Sequence, residues 1–382
     1  MITLDKKTLP SSTFACGPGQ CLPELRLTPL AQTCFERNHR ATDVVRDVYQ
    51  HATEQLRRLL ELPPEYMVCF FPGGANAAMD AVLWNLTKDT LSGLAFGEFS
   101  RRWAQDMSLR IPGLKNTVRL TSPDELFPAQ EPDYSASLLV LTPNETSTGV
   151  QIPNEYLSHA WEQRGPDTLV AWDATSCAGG RLLPKNKFDV MLFSLQKCFG
   201  TMGGTCVLIL SPKAQARLKH APRPIPYTLD LTRAVAQAQH FQTVNTPNTT
   251  AIWLCGQAAL WMNEHGGLNA MDKLCRLHAA WMCDWATRTD FITPFVRDEK
   301  FRSYTTLTLQ LTDARLQADD INRALANTGL ANLQDGLKRH SYAPQDTLRV
   351  SCFPFVDTDG TKQYQKLTAT LDEIVRQLRA SL

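Results

Sequence analysis

No excess of charge of either sign marks this chain: 39 Lys and Arg oppose 38 Asp and Glu, a formal +1 over 382 residues. Such neutrality supplies no general field for nucleic acid or for an anionic membrane surface, so neither is expected as a partner. Long apolar runs are also missing. No run is long enough to span a bilayer, and the opening MITLDKKTLP carries no apolar h-region, so the expected location is the cytoplasm. The eleven cysteines include no CxxC pair and no CxxC…HxxxH arrangement. Structural zinc and a redox dithiol are left without supporting spacing, and no metal site is expected. Cys69, Cys206 and Cys255 lie inside apolar runs, where cysteine behaves as a small buried hydrophobe, in keeping with a reducing compartment. Internal repeats, low-complexity tracts and flexible linkers are absent as well.

What is there is an ordinary globular composition, 43% hydrophobic and 20% charged, long enough for two substantial cores. From about residue 65 to residue 260, short apolar β-rich runs alternate with amphipathic helical stretches. Met67–Phe71, Ser137–Thr142, Thr168–Trp172, Val190–Ser194 and Thr205–Leu210 read as buried strands. Met79, Val82, Leu83 and Leu86 fall at i, i+3, i+4 and i+7, one face of a helix. Continuous apolar strands separated by helices predict an α/β domain built on a mainly parallel sheet covered on both faces, with ligands outside the carboxyl ends of the strands. Helices are expected over Thr249–His265 and Leu268–Trp285, with Gly266-Gly267 between them. Strands at Ser303–Leu311 and Thr347–Phe353 and a helix at Lys362–Leu378 then predict a smaller α+β unit. The expected division is an N-terminal segment 1–15, a large domain 16–262 and a small domain 263–382.

Two residues carry the chemistry. Asp173 ends the run Val170-Ala171-Trp172, and Lys197 follows Phe193-Ser194-Leu195-Gln196 at the end of another strand. A lone lysine after a strand is most often a solvated loop charge, and a lone aspartate there is most often a helix N-cap. In this order and spacing, followed by Gly203-Gly204, they form the pair that a pyridoxal-phosphate enzyme needs. The lysine amine bonds to the cofactor aldehyde and then moves a proton, while the carboxylate keeps the pyridine nitrogen protonated. An ordinary lysine, with a pKa near ~10.4, is a poor base at neutral pH, so burial must depress it. Upstream, Pro72-Gly73-Gly74-Ala75-Asn76 joins a strand to a helix, where free backbone N–H groups and the helix dipole favour an anion such as the cofactor phosphate. Many Gly-Gly junctions serve geometry only.

Several separate elements in correct order resemble the phosphoserine aminotransferase family of class V, pyridoxal-phosphate enzymes of the aspartate-aminotransferase fold (fold type I). They are Phe14-Ala15-Cys16-Gly17-Pro18-Gly19 with Leu22-Pro23; Asn38-His39-Arg40; Thr142-Pro143-Asn144-Glu145-Thr146; and Asn245-Thr246-Pro247 followed by Trp261 and Gly266-Gly267. The resemblance covers nearly the whole chain. It implies a seven-stranded, mainly parallel sheet in the large domain and the catalytic pair Lys197 and Asp173. It further implies cofactor contacts from Ala75, Asn76, Phe99, Thr146, Gln196, Asn245 and Thr246. Asn245 and Thr246 would reach the neighbouring subunit's cofactor, which makes the partner a second copy of the chain in a homodimer with shared sites. Arg349 would take the substrate α-carboxylate with its planar fork. His39 and Arg40 would bind a distal phosphate across the interface, Cys16 would lie by the substrate, and Lys338, Arg339 and His340 form a second basic cluster for that phosphate. The alternative for Phe99 is plain core packing, and for Arg40 a surface helix charge.

The implied reaction is a ping-pong transamination from L-glutamate to 3-phosphohydroxypyruvate, giving O-phospho-L-serine and 2-oxoglutarate. Asn76, where many bacterial members have arginine, and Cys16, where a serine often stands, depart from the pattern. They leave open a class V aminotransferase for another 2-oxo acid, for example of alanine–glyoxylate type. A desulfurase would need a mobile nucleophilic cysteine before its carboxylate-binding arginine, whereas Cys352 follows Arg349 in an expected strand. A noncatalytic binding protein on the same fold would be expected to have lost Asp173, Lys197 or the glycine turn.

Overall fold

A computed structural model describes residues 2, 4, 8–16, 20–22, 39–40, 42–121, 125–326, 334–335 and 346–381. The first long helix, α1 (Asp43–Leu59), begins where the Thr42 hydroxyl accepts the Val45 N–H. It buries Val45, Val48, Tyr49, Ala52, Leu56 and Leu59, a single apolar stripe. β1 (Met67–Pro72), α2 (Gly74–Leu86) and β2 (Thr90–Ala95) follow, then the short helix α3 (Glu98–Arg101), β3 (Lys115–Leu120) and β4 (Leu138–Leu141). A two-stranded ribbon, β5 (Asn144–Glu145) with β6 (Val150–Gln151), precedes α4 (Asn154–Gln163), β7 (Leu169–Asp173), β8 (Val190–Ser194) and β9 (Thr205–Leu210).

The main sheet has seven strands in the order β1-β9-β8-β7-β4-β2-β3. β9 runs antiparallel to both its neighbours, and the remaining pairs are parallel. Apolar runs with nothing polar to alternate, such as Leu-Val-Ala-Trp in β7, are the ones buried on both faces. At the sheet edge β3 alternates and stays partly exposed. Beyond β9 come α5 (Pro212–Leu218), α6 (Leu231–Ala238) and α7 (Thr249–Glu264), the last packed on α1. Gly256 allows that packing: a Cβ there would lie 3.1 Å from the Ala52 Cα.

A second, all-antiparallel sheet, ordered β10-β11-β13-β12, is made by β10 (Ile292–Pro294), β11 (Thr306–Leu311), β12 (Gln334–Asp335) and β13 (Thr347–Ser351). It is covered by α8 (Gly267–Arg288) and α10 (Lys362–Ala380), with α9 (Ala318–Ala326) alongside, around a core that includes Leu309, Leu348, Val350, Tyr364 and Leu371. In the main sheet β1 runs one residue past its expected end, β4 is one residue shorter at each end and β7 is shifted by one, and in this second sheet two limits also differ from the sequence reading. β11 starts at Thr306 because the Ser303 hydroxyl accepts the Thr305 and Thr306 N–H groups and bends the chain there. β13 stops at Ser351, one residue short of a last in-register bond from the Cys352 N–H to the Thr305 carbonyl at 2.9 Å, because its partner strand bends away at Ser303.

Candidate active site

The carboxyl ends of β1, β8, β7, β4 and β2 point the same way, and because β9 is reversed its amino end joins them. Around that edge lies a cavity of about 480 Å³, the size of a small-molecule site. Gly73, Gly74, Ala75 and Asn76 line it from the β1–α2 turn, with Phe99 from α3 and Thr146 from the β5–β6 ribbon. Asp173, Gln196 and Lys197 line it from the ends of β7 and β8.

The glycine turn is held from two sides. Gly73 and Gly74 have φ of 89° and 68°, the left-handed region that favours glycine. The Gly73 N–H donates to the Gly204 carbonyl at 2.9 Å, and the Ala75 N–H donates to the Ser194 hydroxyl at 2.6 Å. Lys197 sits in the ten-residue connection between β8 and β9, where the Gly200 N–H closes a turn on the Lys197 carbonyl at 2.9 Å. Gly200 has φ of 57°, and a Cβ there would meet the Gln20 carbonyl at 2.2 Å. The N-terminal segment therefore lies directly across this hairpin, and the Lys197 ammonium donates to the Cys16 carbonyl. Its Nζ is 6.0 Å from the centre of the Phe99 ring. Burial lowers the Lys197 pKa, and Arg349 pushes the same way, while Cys16 and Asp173 oppose them.

Asp173 is 4% exposed. Burial raises its pKa to about 6, against an opposing hydrogen bond from Thr175, whose N–H donates to Oδ1 at 3.0 Å. A buried carboxylate of this kind gains from a cationic donor. Arg349, on β13, is 4% exposed and donates to the Thr146 carbonyl at 3.3 Å. Cys16 is fully buried beside Arg349 and Lys197. Burial raises its thiol pKa, and both cations oppose the shift.

Other expected site residues lie apart. His39, Arg40, Asn245 and Thr246 are outside the cavity lining. They share one surface region, since Arg40 donates to the Val244 carbonyl at 2.8 Å and both Asn245 and Thr246 are exposed. Lys338, Arg339 and His340 lie outside the described residues, as do Gly17, Pro18, Gly19, Pro23 and Asn38. Among the described residues, no group of three or more His, Cys, Asp or Glu side chains is placed to hold a metal ion, and no helix is long and apolar enough to cross a membrane.

The sequence reading gave no role to Ser194, Asn144, Thr175 or Arg102, all of which line the cavity. Ser194 was legible as the last residue of a buried strand two positions before Gln196. The side-chain oxygens of Asn144 and Gln196 are buried and without a hydrogen-bond partner, an expensive state unless a ligand supplies a donor. Two orphan acceptors, a glycine turn at the amino end of a helix, a buried carboxylate and a desolvated lysine fit pyridoxal phosphate.

The chain belongs to the class-V aminotransferases: the model of that family, "Aminotransferase class-V", matches residues 31–360. It is a pyridoxal-phosphate-dependent transaminase, with amino acids and oxo acids as its small-molecule substrates. Within the class it groups with the phosphoserine aminotransferases, and the enzyme of that name from Rhodococcus opacus is 31% identical over 370 residues, 96% of this chain and 95% of that protein. In fold it is similar to a phosphoserine aminotransferase from Cytophaga hutchinsonii, with a TM-score of 0.81 at 24% identity over 95% of this chain and 98% of the other. It is also similar to alanine–glyoxylate aminotransferase from Nostoc sp., with a TM-score of 0.77 at 18% identity over 98% of each chain. At those identities the likeness concerns the fold alone.

Proposed function

We propose that this transaminase moves the amino group of L-glutamate to 3-phosphohydroxypyruvate, giving O-phospho-L-serine and 2-oxoglutarate. The observation that carries the chemical part is the convergence of Lys197, Asp173 and the Gly73–Asn76 turn on one cavity. The choice of acceptor rests on the full-length similarity to proteins named phosphoserine aminotransferase.

When bound, pyridoxal phosphate supplies an aldehyde for the covalent attachment of amines and a pyridinium ring that withdraws electrons from the reacting carbon. Asp173 holds the proton on the ring nitrogen, and the exchange of buried solvent-free charge for an ion pair offsets the desolvation that raises its pKa. The Asn76 amide, at the amino end of α2, would hold the phosphate with the Gln196 side chain, and the Ala75 amide would join them by leaving the Ser194 hydroxyl. Phe99 covers a ring face and excludes water. Lys197, its ammonium form already disfavoured by burial, would take the proton from the substrate α-carbon, hold it on Nζ and return it across the imine nitrogen. Arg349 fixes the α-carboxylate, so that the α-hydrogen faces Lys197. His39 and Arg40, with Asn245 and Thr246, complete a second copy's site in a homodimer. Their common surface supports that reading.

Glutamate and a panel of acceptors (3-phosphohydroxypyruvate, glyoxylate, pyruvate and oxaloacetate) should be compared by 2-oxoglutarate release. The phosphorylated acceptor is expected to have the highest kcat/KM. A preference for glyoxylate or pyruvate would overturn the substrate and favour the alanine–glyoxylate type, which the Cys16 and Asn76 departures leave open. Lys197→Ala should abolish turnover with every acceptor, and retained turnover would remove Lys197 from the reaction.

A further inference from the structure

Glu145 is fully buried, and its carboxylate is engaged at both oxygens. Oε2 accepts the Ser100 N–H at 2.8 Å. Oε1 accepts the Ser147 N–H at 3.0 Å and the Ser147 hydroxyl at 2.7 Å. The Ser147 oxygen in turn accepts the Glu98 N–H at 2.9 Å. One acidic side chain thus ties down the two amides that flank Phe99 and the amide that follows Thr146. Gly97 makes the approach possible, because a Cβ there would lie 2.3 Å from the Glu145 Cγ. Ser100 closes the turn from the other side, accepting the Phe96 N–H at 3.0 Å and donating to the Gly97 carbonyl at 3.2 Å.

We propose that Glu145 is a positioning residue of the transamination site, setting the Phe99 wall of the cavity against the Thr146 wall through this network. The proposal rests on the transaminase reading of the cavity and is independent of which oxo acid is used. Two main-chain segments meet there, the start of α3 and the β5–β6 ribbon, and each contributes a cavity-lining side chain. Among the described residues no strand pairing joins the two segments to each other, since β5 pairs only with β6. A carboxylate is suited to the task because it accepts at both oxygens and its charge strengthens each bond. An amide of the same shape has one acceptor and one donor. It must aim its NH2 at either Ser100 or Ser147 and leave a buried donor facing a donor, which is costly. Small errors in the placement of reacting groups are amplified in rate.

The test is Glu145→Gln beside Glu145→Asp. In the cofactor-free protein, hydrogen exchange at the Ser100 amide should quicken about 10- to 100-fold in Glu145→Gln, the loss of a buried charge-assisted bond. With pyridoxal phosphate bound, the visible circular dichroism of the cofactor should fall and kcat should drop about 10- to 100-fold, while far-ultraviolet dichroism stays unchanged. Glu145→Asp, which keeps both acceptors but is a methylene shorter, should recover part of each signal. Unchanged cofactor dichroism and unchanged kcat in Glu145→Gln would overturn the proposal, including when amide exchange is faster, because the network would then serve the fold alone. If Glu145→Gln does not fold, Ser147→Ala takes its place. It cuts the Glu98 arm and one bond to Glu145, and the same two signals should fall by less, with no change again overturning the idea. A wrong acceptor assignment would leave the exchange and dichroism results standing, so the two failures are distinguishable.

Discussion

Replacing Asp173 by Asn should stabilise the cofactor-free protein while removing its activity. Asp173 has a folded-state pKa of about 6 against an ordinary value of 3.8, chiefly from burial. An acid whose pKa is higher in the folded state holds its proton more tightly there. It therefore costs nothing below about pH 3.8, becomes progressively destabilising as pH rises to about 6, and carries the full cost above that. With about 1.4 kcal/mol for each pH unit of the gap, the cost at neutral pH is on the order of 3 kcal/mol. Asparagine keeps the side-chain oxygen that accepts the Thr175 N–H at 3.0 Å and carries no charge. Melting of the two cofactor-free proteins from pH 4 to 8 should show equal stability at the acid end and a widening advantage for Asp173→Asn up to about pH 6. The advantage should reach about 3 kcal/mol or a few degrees in Tm. Saturating pyridoxal phosphate should narrow the gap in the native protein, since the ring nitrogen supplies the missing cation. Activity of the variant should fall by at least about 100-fold, as the ring loses its proton. An Asp173→Asn protein no more stable than the native one at pH 7 would refute the premise that this carboxylate is held ionised against burial.

Arg349→Lys keeps a charge but loses the planar fork, so kcat/KM should fall about 10- to 100-fold for amino donor and oxo acceptor alike. An equal value for both proteins in steady-state assays would remove Arg349 from carboxylate binding. Gly256→Ala would place a methyl 3.1 Å from the Ala52 Cα, forcing α1 and α7 apart at a cost of about 1–3 kcal/mol. Thermal melting should register that loss with kcat nearly unchanged.

The sheet was largely legible where its strands are apolar throughout. Val190–Ser194 and Thr205–Leu210 fall on the limits read from the sequence, since a strand buried on both faces has no polar residue to blur its ends. β2 and β3 were not read at all. Thr-Leu-Ser-Gly-Leu-Ala carries serine and glycine inside a buried strand, and Lys-Asn-Thr-Val-Arg-Leu is an edge strand with little apolar signal. In the site, Lys197, Asp173 and the glycine turn could be named because each follows a readable strand. Ser194 and Asn144 matter through where the backbone puts a hydroxyl and an amide oxygen, and composition does not report that. Glu145 was legible only as a letter in a motif. Ser147 stands two residues on, but Glu98 and Ser100 become neighbours only when the connections after β2 and β4 fold over the same sheet edge.

The reversed direction of β9 bears on which parts of the enzyme can vary. Every other strand of the main sheet returns to the shared edge by a long crossover, but Lys197 rides on a ten-residue bend whose two ends are both clamped in adjacent hydrogen-bonded strands. Lengthening that bend is expected to swing the amine away from Asp173 and so to cost activity. Shifts in substrate preference must then arise elsewhere, in the segments beyond β2, β4 and β13, which can be reshaped without moving the nucleophile.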